Sequence, residues 1–176
     1  MRFIFPHAPR QAVTINGGMV MRAWYDITGA EMIRQEDDAG IRRSAEAIRD
    51  MIQTENARGI ATGNIILAGF SQGGAIALHT GLRYPESLAG ILALSTYLPL
   101  SAQLEPEAHA ANQSTPIFMA HGLYDPVIPL ILAEASRTKL QQAGYSVEWH
   151  SYPMPHAVSP QEIHDISHWF RQRFDK

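Results

Sequence analysis

The stretch LAGFSQGG, residues 67–74, places one serine between glycines directly after an apolar run. Ser71 is the central residue of a G-x-S-x-G motif that spans residues 69–73. Small residues on both sides let a chain turn sharply from a strand into a helix, which exposes the serine hydroxyl at the helix N-terminus. The helix dipole there favours negative charge that develops on a substrate. A serine at this position can also simply cap the helix, so the motif alone leaves a nucleophile and a cap open.

Two further residues could complete a catalytic set with Ser71, because a serine hydroxyl needs a base at neutral pH. His156, in YPMPHAV, follows a predicted strand and could accept the proton. Asp125, in HGLYDP, follows another and could orient the histidine and stabilise the imidazolium. The ordinary alternatives are a solvated loop histidine and a turn-forming aspartate before a proline. The chain order Ser, Asp, His, with each residue after a separate strand, fits the α/β-hydrolase arrangement.

The elements that must position these residues alternate between strand and helix. Apolar runs predict strands at residues 65–68, 91–94, 117–120 and 147–150, the last nearer an edge, and a short first strand at Phe3–Phe5. Helical spacing and capping signals predict helices after Asp37 or Asp38, over 73–84 and 131–143, and from Ser159-Pro160. The Pro- and Gly-rich stretch from Ala8 to Ala30 predicts a long ordered loop. This alternation predicts an α/β fold with a mostly parallel sheet and helices on both faces.

Composition excludes several classes of protein. A length of 176 residues predicts one domain over residues 1–176. A net charge of −3 offers no basic field for nucleic acid, and the absence of cysteine removes disulfides, thiolate metal sites and a cysteine nucleophile. No apolar run reaches membrane-spanning length and residues 1–30 show no signal-peptide pattern, so we expect a cytoplasmic protein. His164 and His168 have a spacing that two metal ligands can use, but no third ligand is evident, and we expect neither a metal nor a cofactor.

Six stretches of the sequence resemble one known family. They are FPHAP, VTINGGMVMRAWYDI, LAGFSQGGAIALHTGL, LALSTYLP, HGLYDPVIP and YPMPHAVSPQEI. Together they are similar to the bacterial carboxylesterase branch of the carboxylesterase/phospholipase family, relatives of the acyl-protein thioesterases. The resemblance extends along the whole chain.

The resemblance implies roles for individual residues. It implies Ser71 as nucleophile, Asp125 as the residue that orients the histidine, and His156 as general base. It also implies that Gln72 donates its main-chain N–H to the oxyanion hole, and that the loop around Trp24 helps to wall the acyl pocket. For Trp24, core packing is an equally good interpretation of the residue itself.

The sequence departs from the family pattern at two places. Pro155 stands before His156, where the family usually has a small flexible residue, and proline fixes the backbone there. Family members also carry a strand and an H-G-x-G loop ahead of the point that corresponds to Phe3, and that loop supplies a second oxyanion N–H. We therefore expect an N-terminally shortened fold. Either the strands at Phe3 and Ile65 pair directly, or another chain fills the gap between them. Because unpaired strand edges tend to associate, we expect a homodimer or higher oligomer.

The leading hypothesis is a serine carboxylesterase that acts on short, small-molecule carboxylic esters, with thioesters as a second candidate, through an acyl-enzyme. The alternative is a weakly active or non-catalytic hydrolase-fold binding module, because the oxyanion hole is expected to be incomplete.

Overall fold

The computed structural model describes residues 1–29 and 36–174 of the chain. In chain order the elements are β1 (Arg10–Val13), β2 (Met19–Arg22), α1 (Asp38–Ala57), β3 (Ile66–Phe70), α2 (Gln72–Arg83), β4 (Gly90–Leu94), α3 (Leu104–Glu107), β5 (Ile117–Gly122), α4 (Leu130–Gln142), β6 (Val147–Tyr152) and α5 (Pro160–Phe174). Strands β3 to β6 form a parallel sheet in the order β3-β4-β5-β6, whereas β1 and β2 form a separate antiparallel hairpin. The predicted mostly parallel sheet is confirmed.

The parallel sheet is buried by helices on both faces. Successive residues of a strand point to opposite faces, and in β4 Ile91 and Ala93 pack with α1, α2 and α4, whereas Leu92 and Leu94 pack with α5. Trp169 of α5 is 1% exposed and anchors the second face. Because all four strands run in the same direction, their carboxyl ends meet at one edge, where a site can form.

Most predicted elements are confirmed, with boundaries that differ by at most two residues. Asp37 caps α1, and its carboxylate accepts a hydrogen bond from the N–H of Gly40 at 2.8 Å. Strand β6 lies at an edge of the sheet, as its alternating sequence predicts.

The strand predicted at Phe3–Phe5 is wrong. Residues 3–5 form no strand, and among the described residues the edge strand β3 pairs only with β4. Without a neighbour to supply hydrogen bonds, so short a strand has no stabilisation. Phe3 and Phe5 are instead 61% and 86% exposed, and Phe3 contacts Phe170 of α5 edge-on. The expectation that this segment pairs directly with β3 is therefore also wrong, and the homodimer or higher oligomer stays a prediction.

The prediction of a long loop from Ala8 to Ala30 is wrong over most of that range. It contains the β1-β2 hairpin, and Gly17 and Gly18 form its turn with φ angles of 66° and 77°. Glycine adopts such angles at little cost, which explains the Gly-Gly pair. The hairpin is not recognisable from the sequence, because β2 is exposed along its whole length and lacks apolar-polar alternation. Ala30 lies outside the described residues.

The helices in residues 1–29 and 36–174 lack the features needed to span a membrane. None of the helices in these ranges combines the length and the apolar character that crossing a bilayer requires.

We predict that Gly90→Ala destabilises the protein by about 1–3 kcal/mol, because overpacking a filled core has that cost. A Cβ atom at Gly90 would lie 2.5 Å from Cη2 of the buried Trp169 ring. Chemical denaturation of both proteins measures the change in the free energy of unfolding. Gly63→Ala is the matched control, since its nearest neighbour, the carbonyl oxygen of Ser87, would lie at an ordinary 3.9 Å. Equal stability of the two variants would contradict the packing argument.

Candidate active site

Ser71 lies in a tight turn between β3 and α2 with a strained backbone. Its φ and ψ angles are 55° and −124°, a combination that non-glycine residues rarely adopt. Two hydrogen bonds on its main chain fix the turn to the end of β4. The N–H of Ser71 donates to the carbonyl of Leu94 at 2.9 Å, and the hydroxyl of Thr96 donates to the carbonyl of Ser71 at 2.8 Å.

Two glycines near Ser71, Gly69 and Gly74, are required by close contacts. A Cβ atom at Gly69 would lie 2.1 Å from the carbonyl carbon of Gly73, so these two positions touch directly across the turn. A Cβ atom at Gly74 would lie 2.8 Å from the Thr96 methyl group. The geometry of the turn thus explains the first glycine of the G-x-S-x-G pattern, whereas a Cβ atom at Gly73 would meet only Nε1 of Trp24, at an ordinary 3.8 Å.

The side chain of Ser71 does not cap α2. Ser71 occupies the N-cap position, yet its hydroxyl makes no capping hydrogen bond to the first turn of the helix. The capping interpretation is therefore wrong, and the hydroxyl of this partly exposed residue does not hold the helix.

Asp125 follows β5 and divides its two carboxylate oxygens between two tasks. Oδ1 accepts hydrogen bonds from the N–H groups of Val127 and Ile128 at 2.8 and 2.9 Å, which organises the turn. Oδ2 lies 2.6 Å from Nδ1 of His156. The aspartate therefore forms the turn and also contacts the histidine, and its orienting role stays a prediction.

His156 is carried by a loop that packs directly against the end of β5. A Cβ atom at Gly122 would lie 2.4 Å from the carbonyl oxygens of both Met154 and Pro155, so glycine is needed for this approach. The N–H of Tyr124 also donates to the Met154 carbonyl at 3.2 Å. Pro155 is thus accommodated in a loop that is fixed by backbone contacts to the Asp125 segment.

The imidazole of His156 lies beside the residue that precedes Ser71. Its ring centroid is 4.7 Å from that of Phe70, the last residue of β3. The side chain of His156 is 16% exposed, whereas that of Asp125 is fully buried. The structure therefore brings the histidine, the aspartate and the serine turn to the same edge of the sheet.

The environment of Asp125 favours its ionised form. Burial raises the pKa of its carboxyl, but hydrogen bonds from His156, Ile128 and Val127 together outweigh this effect, and the pKa lies below its ordinary value. An ionised carboxylate can only accept a hydrogen bond, so Nδ1 of His156 carries the proton. In the neutral imidazole, Nε2 is then free of a proton and can accept one.

His121 helps to hold the Asp125 turn, a contact that the sequence analysis did not identify. Its buried Nε2 lies 2.9 Å from the carbonyl oxygen of Ile128 and 3.5 Å from Oδ2 of Asp125. Because a carbonyl oxygen only accepts, Nε2 donates and thereby holds the turn that presents Asp125. Its position in the HGLYDP stretch, four residues before Asp125, is the signal that could have indicated this contact.

The other candidate residues from the sequence lie on α2, on α5 and in the segment after β2. Trp24 is half-buried next to the first turn of α2, and the side chain of Gln72 makes hydrogen bonds to the Trp24–Tyr25 backbone. His164 and His168 are exposed on α5. Across the described ranges of the chain, no group of three or more histidine, aspartate or glutamate side chains is arranged to hold a metal ion.

Comparison with known proteins identifies the family. A model of the phospholipase/carboxylesterase family matches residues 1–173. The chain belongs to the phospholipase/carboxylesterase family. Acyl-protein thioesterase 1 of Neurospora crassa is 44% identical over 185 residues, which cover 100% of this chain and 75% of that protein. Acyl-protein thioesterase 1 of Gibberella zeae is 39% identical over 181 residues, covering 98% and 77%. Both relatives are fungal, and the bacterial branch stays a prediction.

Solved structures of similar proteins confirm the fold of this phospholipase/carboxylesterase family member. Arabidopsis thaliana SOBER1 superposes with a TM-score of 0.91 at 30% identity, covering 97% of this chain and 82% of that one. Zea mays acyl-protein thioesterase 2 superposes with a TM-score of 0.85 at 27% identity, covering 96% and 79%. The α/β-hydrolase-type fold is thereby confirmed, and membership of this family supports hydrolysis of esters or thioesters.

We predict that the stabilising contribution of the ionised Asp125 disappears in acid. Because the folded pKa is lower than the unfolded value of about 3.9, this contribution is present above that value and is lost as the pH falls through the folded pKa. The difference in the free energy of unfolding between wild type and Asp125→Asn should therefore shrink between about pH 5 and pH 3. Denaturation curves at each pH measure it.

The control for this experiment is Asp50→Asn on the exposed side of α1. An exposed substitution of this kind changes stability by less than about 0.5 kcal/mol. A wild-type advantage over Asp125→Asn that stays constant down to about pH 3 would show that the carboxylate charge is not what stabilises this turn.

Proposed function

We propose that the protein is a serine carboxylesterase that uses Ser71, Asp125 and His156. The observation that carries this proposal is the 2.6 Å contact between Asp125 and Nδ1 of His156, with the imidazole packed against Phe70 at the entrance to the Ser71 turn. A base held in one tautomer beside the residue that precedes a serine with no capping hydrogen bond supports nucleophilic catalysis by that serine.

The reaction proceeds in two half-reactions. Nε2 of His156 takes the proton of Ser71 as its Oγ attacks the ester carbonyl, and the imidazolium that forms is stabilised by the buried carboxylate of Asp125. The tetrahedral intermediate collapses when the bond to the alcohol breaks, and His156 returns the proton to that leaving group. Water, deprotonated by the same nitrogen, then attacks the acyl-enzyme and releases the carboxylic acid and free Ser71.

Gln72 supplies a main-chain N–H for the oxyanion in this proposal. As the first residue of α2, it has no acceptor for its N–H within the helix, and it lies at the positive end of the helix dipole. Removing one such donor from a hydrolase typically costs about 10²–10³ in turnover. Gln72 directly follows the proposed nucleophile in the chain, which supports this role.

The proposed substrates are small carboxylic esters with short acyl chains, with thioesters as a second class because relatives are named acyl-protein thioesterases. Trp24, beside the first turn of α2, would limit the space for the acyl group. We therefore expect rates to fall along the series of acetate, butyrate, octanoate and palmitate esters. A maximum at palmitate would contradict the short-chain preference.

No specific observation favours the non-catalytic alternative. The homo-oligomer and the cytoplasmic location stay predictions.

We predict that Ser71→Ala and His156→Ala each remove nearly all ester hydrolysis and that the double variant loses little more. Residues of a triad act as a unit, and in a serine protease each of the two corresponding losses costs about 10⁶ on its own. Steady-state rates with p-nitrophenyl acetate measure the effect. Ser114→Ala and His164→Ala, at exposed positions, are matched controls that should keep wild-type activity. Losses that multiply in the double variant would show that the two residues act independently.

A further inference from the structure

The Trp24–Tyr25 segment passes over the start of α2. It follows β2, and a Cβ atom at Gly73 would lie 3.8 Å from Nε1 of the Trp24 indole. The indole therefore lies against the first turn of α2, two residues beyond Ser71.

The side-chain amide of Gln72 joins this segment to the helix. Its Oε1 accepts a hydrogen bond from the N–H of Trp24 at 3.0 Å, and its Nε2 donates to the carbonyl of Tyr25 at 3.0 Å. One carboxamide therefore occupies a donor and an acceptor on consecutive residues that lie almost fifty positions earlier in the sequence. Both partners are main-chain groups, so the contact fixes the position of the backbone that carries the indole.

Other contacts hold the same segment to parts of the protein that do not contain Ser71. The hydroxyl of Ser44 donates to the carbonyl of Trp24, and the hydroxyl of the buried Tyr25 lies 3.2 Å from that of Tyr97. Nε2 of Gln11 donates to the carbonyl of Ala23, the residue before this segment, at 2.7 Å. The contacts of Ser44 and Tyr97 keep the segment folded, whereas the contact of Gln72 couples it to the residue next to the proposed nucleophile.

We propose that the carboxamide of Gln72 is a positioning residue that sets acyl-chain selectivity by holding Trp24 against the Ser71 turn. This inference rests on the proposed esterase function. Because main chain and side chain of Gln72 face different partners, one residue links the proposed oxyanion donor to the wall of the acyl site. Loss of the two side-chain hydrogen bonds lets the indole move away and widens the space for longer acyl groups.

The test compares Gln72→Met with Gln11→Met in the full chain. Methionine is close to glutamine in size and removes the side-chain hydrogen bonds at both positions, but only Gln72 contacts the α2 turn. The measurements are kcat and KM for p-nitrophenyl acetate, butyrate and octanoate, together with hydrogen exchange at the Trp24 amide. We expect the acetate-to-octanoate ratio of kcat/KM to fall about tenfold in Gln72→Met, mainly through a lower KM for octanoate, since a pocket contact of this kind changes discrimination by that order.

Gln11→Met should keep the wild-type ratio, and exchange at the Trp24 amide should accelerate in Gln72→Met only. If Gln72→Met does not fold, Gln72→Glu replaces it, because glutamate keeps the acceptor for Trp24 and loses the donor for Tyr25, and it should shift the ratio in the same direction by less. Faster exchange with an unchanged chain-length profile overturns the inference, as does unchanged exchange. If the wild type hydrolyses none of the esters, the proposed function fails and this inference fails with it, whereas hydrolysis with an unaltered profile overturns this inference alone.

Discussion

The backbone turn at Ser71 is the constraint on which the rest of the site depends. Holding a non-glycine residue at a φ of 55° costs on the order of 1–3 kcal/mol, so the surroundings must over-determine it. The direct contact of Gly69 with Gly73 and the hydrogen bonds of the Ser71 main chain to Leu94 and Thr96 do so. Because β4 lies next to β3, the sheet itself holds the turn in place, and the hydroxyl is not used as a helix cap.

A second close approach completes the site at the same edge of the sheet. The absence of a side chain at Gly122 lets the loop before His156 rest on the end of β5, which brings the imidazole to the carboxylate of Asp125. The other oxygen of that carboxylate is held by the N–H groups of the turn that it organises. The buried carboxylate of Asp125 fixes both the position and the tautomer of His156. The side chain of Gln72 ties the Trp24 segment to the start of α2.

The sequence predicts this arrangement where local chemistry and topology agree. The parallel strands, the helices and the three candidate residues follow from apolar runs, caps and the order Ser, Asp, His, because each signal is local and the carboxyl ends of parallel strands must meet. The strand at Phe3–Phe5 fails because strand formation depends on a neighbour that local sequence does not specify. The β1-β2 hairpin is missed because an exposed strand carries no burial pattern, and the side-chain role of Gln72 is missed because its partners are main-chain groups far away in sequence.

The central claim is that Ser71 is an activated nucleophile and not a helix cap. Treatment of the folded protein with a fluorophosphonate probe, followed by digestion and mass spectrometric mapping, tests this claim most directly, since the probe forms a stable covalent bond only with an activated serine. The account predicts that the label is found on Ser71 and that Ser71→Ala abolishes labelling. Folded wild-type protein that stays unlabelled, or labelling that persists in Ser71→Ala, would contradict it.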